Sequence, residues 1–195
     1  MRVLGIDPGT RHLGWGVLER VGTKIRHLAH GVIDTDTKAP LERRLVEIDD
    51  ALIEVIAAHA PAEAAVEAIF FAKDAQAASK LGHARGVVLL RLARAGVPSF
   101  EYAPTRVKRA VVGAGQASKE QVQRVMTTLL GLAEAPRLDA SDALANAFAH
   151  LAVARFHEAV EASTGGRSGS SPAAKLLAAA EAAKKAARRA RARRG

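Results

Sequence analysis

The sequence has no cysteine and few aromatic residues: one Trp, one Tyr and five Phe. The first absence excludes disulfides and any zinc site ligated by Cys. The second leaves the core to Ala, Val and Leu, because hydrophobic residues still make up 49% of the chain. Long apolar runs are also lacking, and none approaches the roughly 18 residues that a membrane-spanning helix needs. No basic stretch followed by an apolar one marks a secretory leader. These absences predict a soluble, cytoplasmic protein with no membrane partner. At 195 residues the chain can bury a core of its own, and the prior favours one domain.

What is present in excess is positive charge, and it is unevenly spread. The formal net charge is +9, yet from Gly165 onward nine Lys or Arg face a single acid, Glu181. Residues 1–164 hold 20 basic and 19 acidic residues, so that part is almost neutral. A basic tail points to a polyanion such as nucleic acid, or else to a solubilising appendage. Ser163 to Pro172 reads as a flexible linker by composition, and the Ala/Lys/Arg-rich remainder has too few large apolar residues to pack. The expected division is a folded domain over 1–162 and a linker with a tail, disordered on its own, over 163–195.

The folded part is organised around Val3-Leu4-Gly5-Ile6-Asp7-Pro8-Gly9-Thr10. Val3, Leu4 and Ile6 form a short run consistent with a strand buried on both faces. Pro8-Gly9 fits the centre of a type II turn, which needs positive φ at its second position. Asp7 then stands at the exit of a central strand, either as a turn cap or as a ligand-binding carboxylate. Leu13 to Leu18 reads as a second strand in which Gly14 and Gly16 permit close backbone approach. Residues 24–34 read as a third strand and end in the polar loop Asp34-Thr35-Asp36-Thr37. A helix begins at Pro40, a fourth strand spans residues 62–69, and a long helix runs from Lys73 to Ala95. Gly82 and Gly86 each cost that helix about 1 kcal/mol relative to alanine, so a close neighbour is expected there, either a second subunit or the chain's own sheet. A fifth strand runs from Val97 to Tyr102, followed by a short helix carrying Arg106, Lys108 and Arg109. Ser118 and Gln121 form a capping box beside Lys119, a plausible phosphate site. The last helix spans Leu138 to Ala162. The order βββαβαβαα predicts an α/β fold, a five-stranded mixed sheet flanked by helices.

Asp139 and Asp142 are three apart and share one helix face, which suits either a dipole-favoured helix start or a ligand set. Glu67 interrupts an apolar strand at the same kind of exit position as Asp7. Carboxylates that converge raise one another's pKa unless cations lie between them. Oxygen donors without His or Cys suit Mg²⁺ or Mn²⁺. Paired divalent ions among carboxylates are a recurring device for phosphodiester hydrolysis, one activating water and the other stabilising the leaving oxygen.

These residues, taken in order, resemble the RuvC family of Holliday-junction resolvases over roughly residues 1–160. The resemblance is carried by Gly5-Ile6-Asp7-Pro8-Gly9-Thr10, Val66-Glu67, Phe70-Phe71-Ala72-Lys73, Leu81 to Val87, Phe100-Glu101-Tyr102-Ala103, Val107-Lys108 with Val112-Gly113, Ser118-Lys119, and Asp139 to Ala145. It implies a ribonuclease H-like fold and a Mg²⁺-dependent homodimer, with two ions in each active site and Mn²⁺ as a substitute. Such a dimer cuts two opposed strands of a four-way DNA junction and leaves 5′-phosphate ends, in recombination and repair. It also implies that Asp7, Glu67, Asp139 and Asp142 are the catalytic, metal-binding set, and it leaves room for a branch-migration motor as partner. Lys108 and Lys119 match basic positions linked to DNA, Arg109 stands beside them, and Phe70 matches an aromatic that engages bases near the crossover. Two features depart from the family pattern: Ala68 replaces a usually polar residue after Glu67, and the basic tail exceeds the usual C-terminus. Two competing readings stand beside this one. An actin-like ATPase also uses an acidic Gly-Thr turn but needs two such subdomains. A DNA-binding architectural protein has no need of Glu67 within an apolar strand.

Overall fold

A computed structural model describes residues 1–68 and 75–163, with the side chains of 75–77 and 154–163 excepted. Its elements are β1 (Arg2–Asp7), β2 (His12–Val21), β3 (Lys24–Asp34), α1 (Leu41–His59), β4 (Glu63–Glu67), α2 (Ala75–Ala95), β5 (Ser99–Tyr102), α3 (Pro104–Val112), α4 (Lys119–Leu130) and α5 (Leu138–Ser163). One compact unit spans Met1–Phe156; of the second, His157–Gly195, only the end of α5 is described. Phe70, Phe71 and Lys73, the linker from Thr164 and the basic tail lie outside the described residues.

The five strands form one sheet in the order β3-β2-β1-β4-β5. β1 is antiparallel to β2 and β2 to β3, whereas β4 and β5 run parallel to β1. Three helices follow β5, one more than the expected order, because Gly113 at φ 81° ends α3 before the capping box at Ser118 opens α4.

Side-chain alternation divides the core between the two sheet faces. On one face Leu4, Ile6, Leu13, Val17, Ala64 and Val66 pack against Ile48 and Leu52 of α1 and Ala84, Val88 and Leu92 of α2. On the other, Val3, Leu18 and Ala65 pack with residues of α3, α4 and α5, among them Val107, Met126 and Leu144.

The sheet's glycines decide how closely α5 lies. A Cβ on Gly5 would stand 1.9 Å from the Ala143 carbonyl oxygen, and one on Gly14 would stand 1.9 Å from that of Asp139. At Gly16 it would meet the Leu144 side chain at 2.6 Å. The close approach expected at Gly14 and Gly16 is thus observed, and its partner is α5. Gly82 and Gly86 behave differently, since a Cβ on either would meet nothing within 4 Å among the described residues. The face of α2 that carries them is open, while α2 packs on its own sheet through Ala84, Val88 and Leu92.

Candidate active site

Alternation along β1 turns Leu4 and Ile6 towards α1 and α2, leaving Val3, Gly5 and Asp7 on the α5 face. β4 alternates likewise: Ala64 and Val66 face one way, Ala65 the other, and Glu67 follows Ala65. Ile6 is in register with Val66, so Asp7 and Glu67 are the next residues on adjacent parallel strands. Their carboxyls share a hydrogen bond.

Burial, then the charges of Glu67 and Asp142, push the Asp7 carboxyl up to about 9. Glu67 is also raised, by burial first and by Asp142.

α5 brings the other two acids. Asp142 is raised by burial and by Asp139, against the opposing pull of Lys119 and Lys108. Asp139, one turn earlier, is half-buried, with its carbonyl against Gly14 of β2. Lys119 is the first residue of α4, placed by the capping box in which Gln121 N–H donates to Ser118 Oγ and Ser118 N–H to the Gln121 side chain. Its ammonium donates to Asp142 Oδ2. Burial works against that charge, but Asp142, with Asp7 and Glu67 behind it, holds the lysine above its ordinary value. Lys108 of α3 is half-buried and acts on Glu67 and Asp142. Arg109 is exposed, its guanidinium 3.7 Å from where a Cβ on Gly115 would lie.

The donor set suits a hard divalent cation: four carboxylates, no sulfur, and half-buried carboxyls of Asp7, Glu67 and Asp142 whose raised pKa values fit negative charge short of a counter-charge. Among the described residues no three acids stand close enough to clasp an ion as they are. The side chains that meet are Asp7 with Glu67 and Asp142 with Lys119.

The loop after Asp7 corrects one expectation. Gly9 does not have positive φ, unlike Gly22, Gly96, Gly113 and Gly131, so Pro8-Gly9 is not the centre of a type II turn. The glycine is required for space instead, because a Cβ there would lie 2.0 Å from the His12 carbonyl oxygen.

Two groups of residues around the acids escaped the sequence reading. At the open edge, His12 Nδ1 lies 2.6 Å from Asp34 Oδ1, and Arg137 donates to both Asp34 oxygens at 2.6 and 3.0 Å. Behind the acids, His150 of α5 bridges Glu63 (2.6 Å) and the Tyr102 hydroxyl (2.7 Å). Asn146 Nδ2 also donates to the Ile6 carbonyl at 3.3 Å. The second group fastens α5 to β1, β4 and β5. No local motif marks either group, since their members come together only in the fold.

A family model, "Crossover junction endodeoxyribonuclease RuvC", matches residues 3–150. The protein of that name from Sorangium cellulosum is 67% identical over 163 residues, covering 84% of this chain and 91% of the relative. Its counterpart from Syntrophotalea carbinolica is 53% identical over 150 residues, 77% of this chain and 93% of the other. Among solved structures, Thermus thermophilus RuvC in complex with a Holliday junction substrate superposes with a TM-score of 0.76 at 42% identity, covering 80% of this chain and 96% of that one. The five-stranded mixed sheet is therefore a ribonuclease H-like one. With three-quarters of its length matched by the family model, the chain belongs to the RuvC family of crossover junction endodeoxyribonucleases.

Proposed function

We propose that this protein resolves four-way DNA junctions by hydrolysing one phosphodiester in each of two opposed strands, leaving 5′-phosphate ends. The observation that carries this reading is Asp7 beside Glu67 at the ends of adjacent strands, with Asp142 on α5 acting on both: three half-buried acids with raised pKa values, answered by Lys119 and Lys108.

Asp7, Glu67, Asp139 and Asp142 would hold the divalent cations, two Mg²⁺ with Mn²⁺ as substitute. When bound, such ions lower the pKa of the attacking water and offset charge on the departing 3′ oxygen. The chain's own part is to hold and release protons and to place the phosphate. Asp7 keeps its proton against Glu67 until a cation replaces it. Lys119 neutralises Asp142 in the cation-free protein and is free to turn to phosphate once the acids are otherwise compensated. Lys108 adds a second positive charge on the same side. Arg109, further out on α3, and Phe70 are assigned to DNA on the family pattern.

A homodimer is part of the proposal. Among the described residues the open face of α2, with Gly82, Gly86 and the exposed Leu90, has no neighbour at either glycine, and a two-fold dimer presents one site to each of two strands. A branch-migration motor remains a candidate partner, and a cytoplasmic location fits: among the described residues no helix is long and apolar enough to cross a membrane.

The test is to replace Asp7 by Asn or Glu67 by Gln and measure junction binding and cleavage separately. Retained binding with cleavage lost is expected; full cleavage by either variant would remove that acid from the catalytic set.

A further inference from the structure

The corner formed by Asp34 and Thr35, at the end of β3, grips both segments that carry Asp7 and Asp139. The Thr35 hydroxyl donates to the Thr10 carbonyl at 2.7 Å and its N–H to the Arg11 carbonyl at 3.0 Å. Arg44 of α1 donates to the same hydroxyl at 3.1 Å and to the Thr10 carbonyl. The loop that follows Asp7 is thereby pinned.

Asp34 works in the other direction. Its two oxygens accept both ends of the Arg137 guanidinium, and Oδ1 also accepts from His12 Nδ1–H. The hydrogen bonds from Arg137 and then His12 hold its carboxyl down to about 2, so it is a full carboxylate at neutral pH. Arg137 lies two residues before Asp139, and His12 opens β2, whose Gly14 lies against the Asp139 carbonyl.

We propose that Asp34 is a positioning residue: through Arg137 and His12 it fixes the start of α5, and with it Asp139, against β2, whose Gly14 pairs with Asp7, and so sets how tightly the acids hold a divalent cation. This rests on the reading of the four acids as cation ligands. An exposed ion pair by itself contributes little. Here a bidentate pair and a histidine join the end of β3, the start of β2 and the start of α5, two residues before Asp139. Residues that orient ligands without touching the ion commonly change metal affinity by 10–100-fold.

Sign separates positioning from plain electrostatics. Arg137 is a positive charge near Asp139, so removing it as a charge would tighten cation binding, whereas removing it as a brace would loosen it.

The experiment titrates the full chain, free of DNA, with Mn²⁺ and follows the free-ion signal by electron paramagnetic resonance. The variants are Arg137→Met, Asp34→Asn and the pair together. Asp49→Asn is the control, because it breaks a comparable carboxylate–guanidinium pair, with Arg91, between α1 and α2. Arg137→Met and Asp34→Asn are each expected to weaken Mn²⁺ binding on the order of tenfold, with the double variant no worse than either. Asp49→Asn should leave binding unchanged, and the Mg²⁺ concentration for half-maximal cleavage should rise in step with the Mn²⁺ constant. Unchanged or tighter Mn²⁺ binding by Arg137→Met, or an unshifted Mg²⁺ dependence, overturns the positioning role. A wild-type chain that neither takes up Mn²⁺ nor cuts a junction overturns the reading of the acids, and the positioning role with it.

Discussion

Asp7 in the cation-free protein is a carboxyl that burial and neighbouring acids keep protonated, with its pKa pushed from an ordinary 3.8 to about 9. Because the folded value is the higher one, the unfolded chain loses this proton while the folded chain keeps it. The contribution to stability is complete below the unfolded pKa and falls as pH rises towards the folded one. Asp7→Asn removes that penalty. In EDTA, the wild-type melting temperature should fall more steeply than the variant's between about pH 5 and about pH 9. At about pH 8 the variant should be the more stable of the two, with the higher melting temperature. Equal slopes would show that Asp7 is not held protonated. Such a trade of stability for a binding site is what made Asp7 and Glu67 legible in the sequence, as carboxylates set into apolar strands. Asp34, His12 and Arg137 gave no such signal. They are ordinary surface residues whose partners lie 22 and 103 positions away, and only the fold joins them.

The placement of the acids depends on how closely α5 approaches the sheet. Gly14→Ala would set a methyl 1.9 Å from the Asp139 carbonyl, and backbone on both sides gives little room to yield. Overpacking of this kind costs about 1–3 kcal/mol, and here it should also move Asp139, so the variant should lose cleavage beyond what its urea midpoint explains. A variant as active and as stable as wild type would show that the contact is slack. The need for glycine at positions 14 and 16 was readable from two small residues inside a strand pattern, although their partner, about 125 residues onward, was not. The limits of one strand were legible in full: residues 24–34 match β3. The second strand proved longer than its apolar stretch, running from His12 to Val21, because its polar ends still pair with β3 through the backbone. The supposed type II turn failed for a related reason. Glycine is needed at position 9 for the nearness of His12, not for its φ, and a sequence does not distinguish the two needs.

For the whole molecule, the open face of α2 and the basic tail carry separate predictions. A Cβ at Gly82 meets nothing within 4 Å among the described residues, so Gly82→Glu should fold normally yet sediment as a monomer; a dimer of undiminished affinity would place the interface elsewhere. The tail, outside the described residues, is proposed to add phosphate contacts without selecting structure. Each such contact contributes about 0.9 to the slope of log affinity against log salt. Truncation at Gly165 should therefore flatten the slope and weaken junction and linear duplex alike, and an unchanged slope would reduce the tail to a solubilising appendage. The measurement that tests the central claim most directly is cleavage of a synthetic four-way junction with Mg²⁺, beside linear duplex of the same sequence and an Asp7→Asn control. Paired, symmetric nicks in the junction alone, absent with the variant, are the predicted result. Binding without cutting under every divalent cation tried would contradict it and leave the four acids as structural residues of a DNA-binding protein.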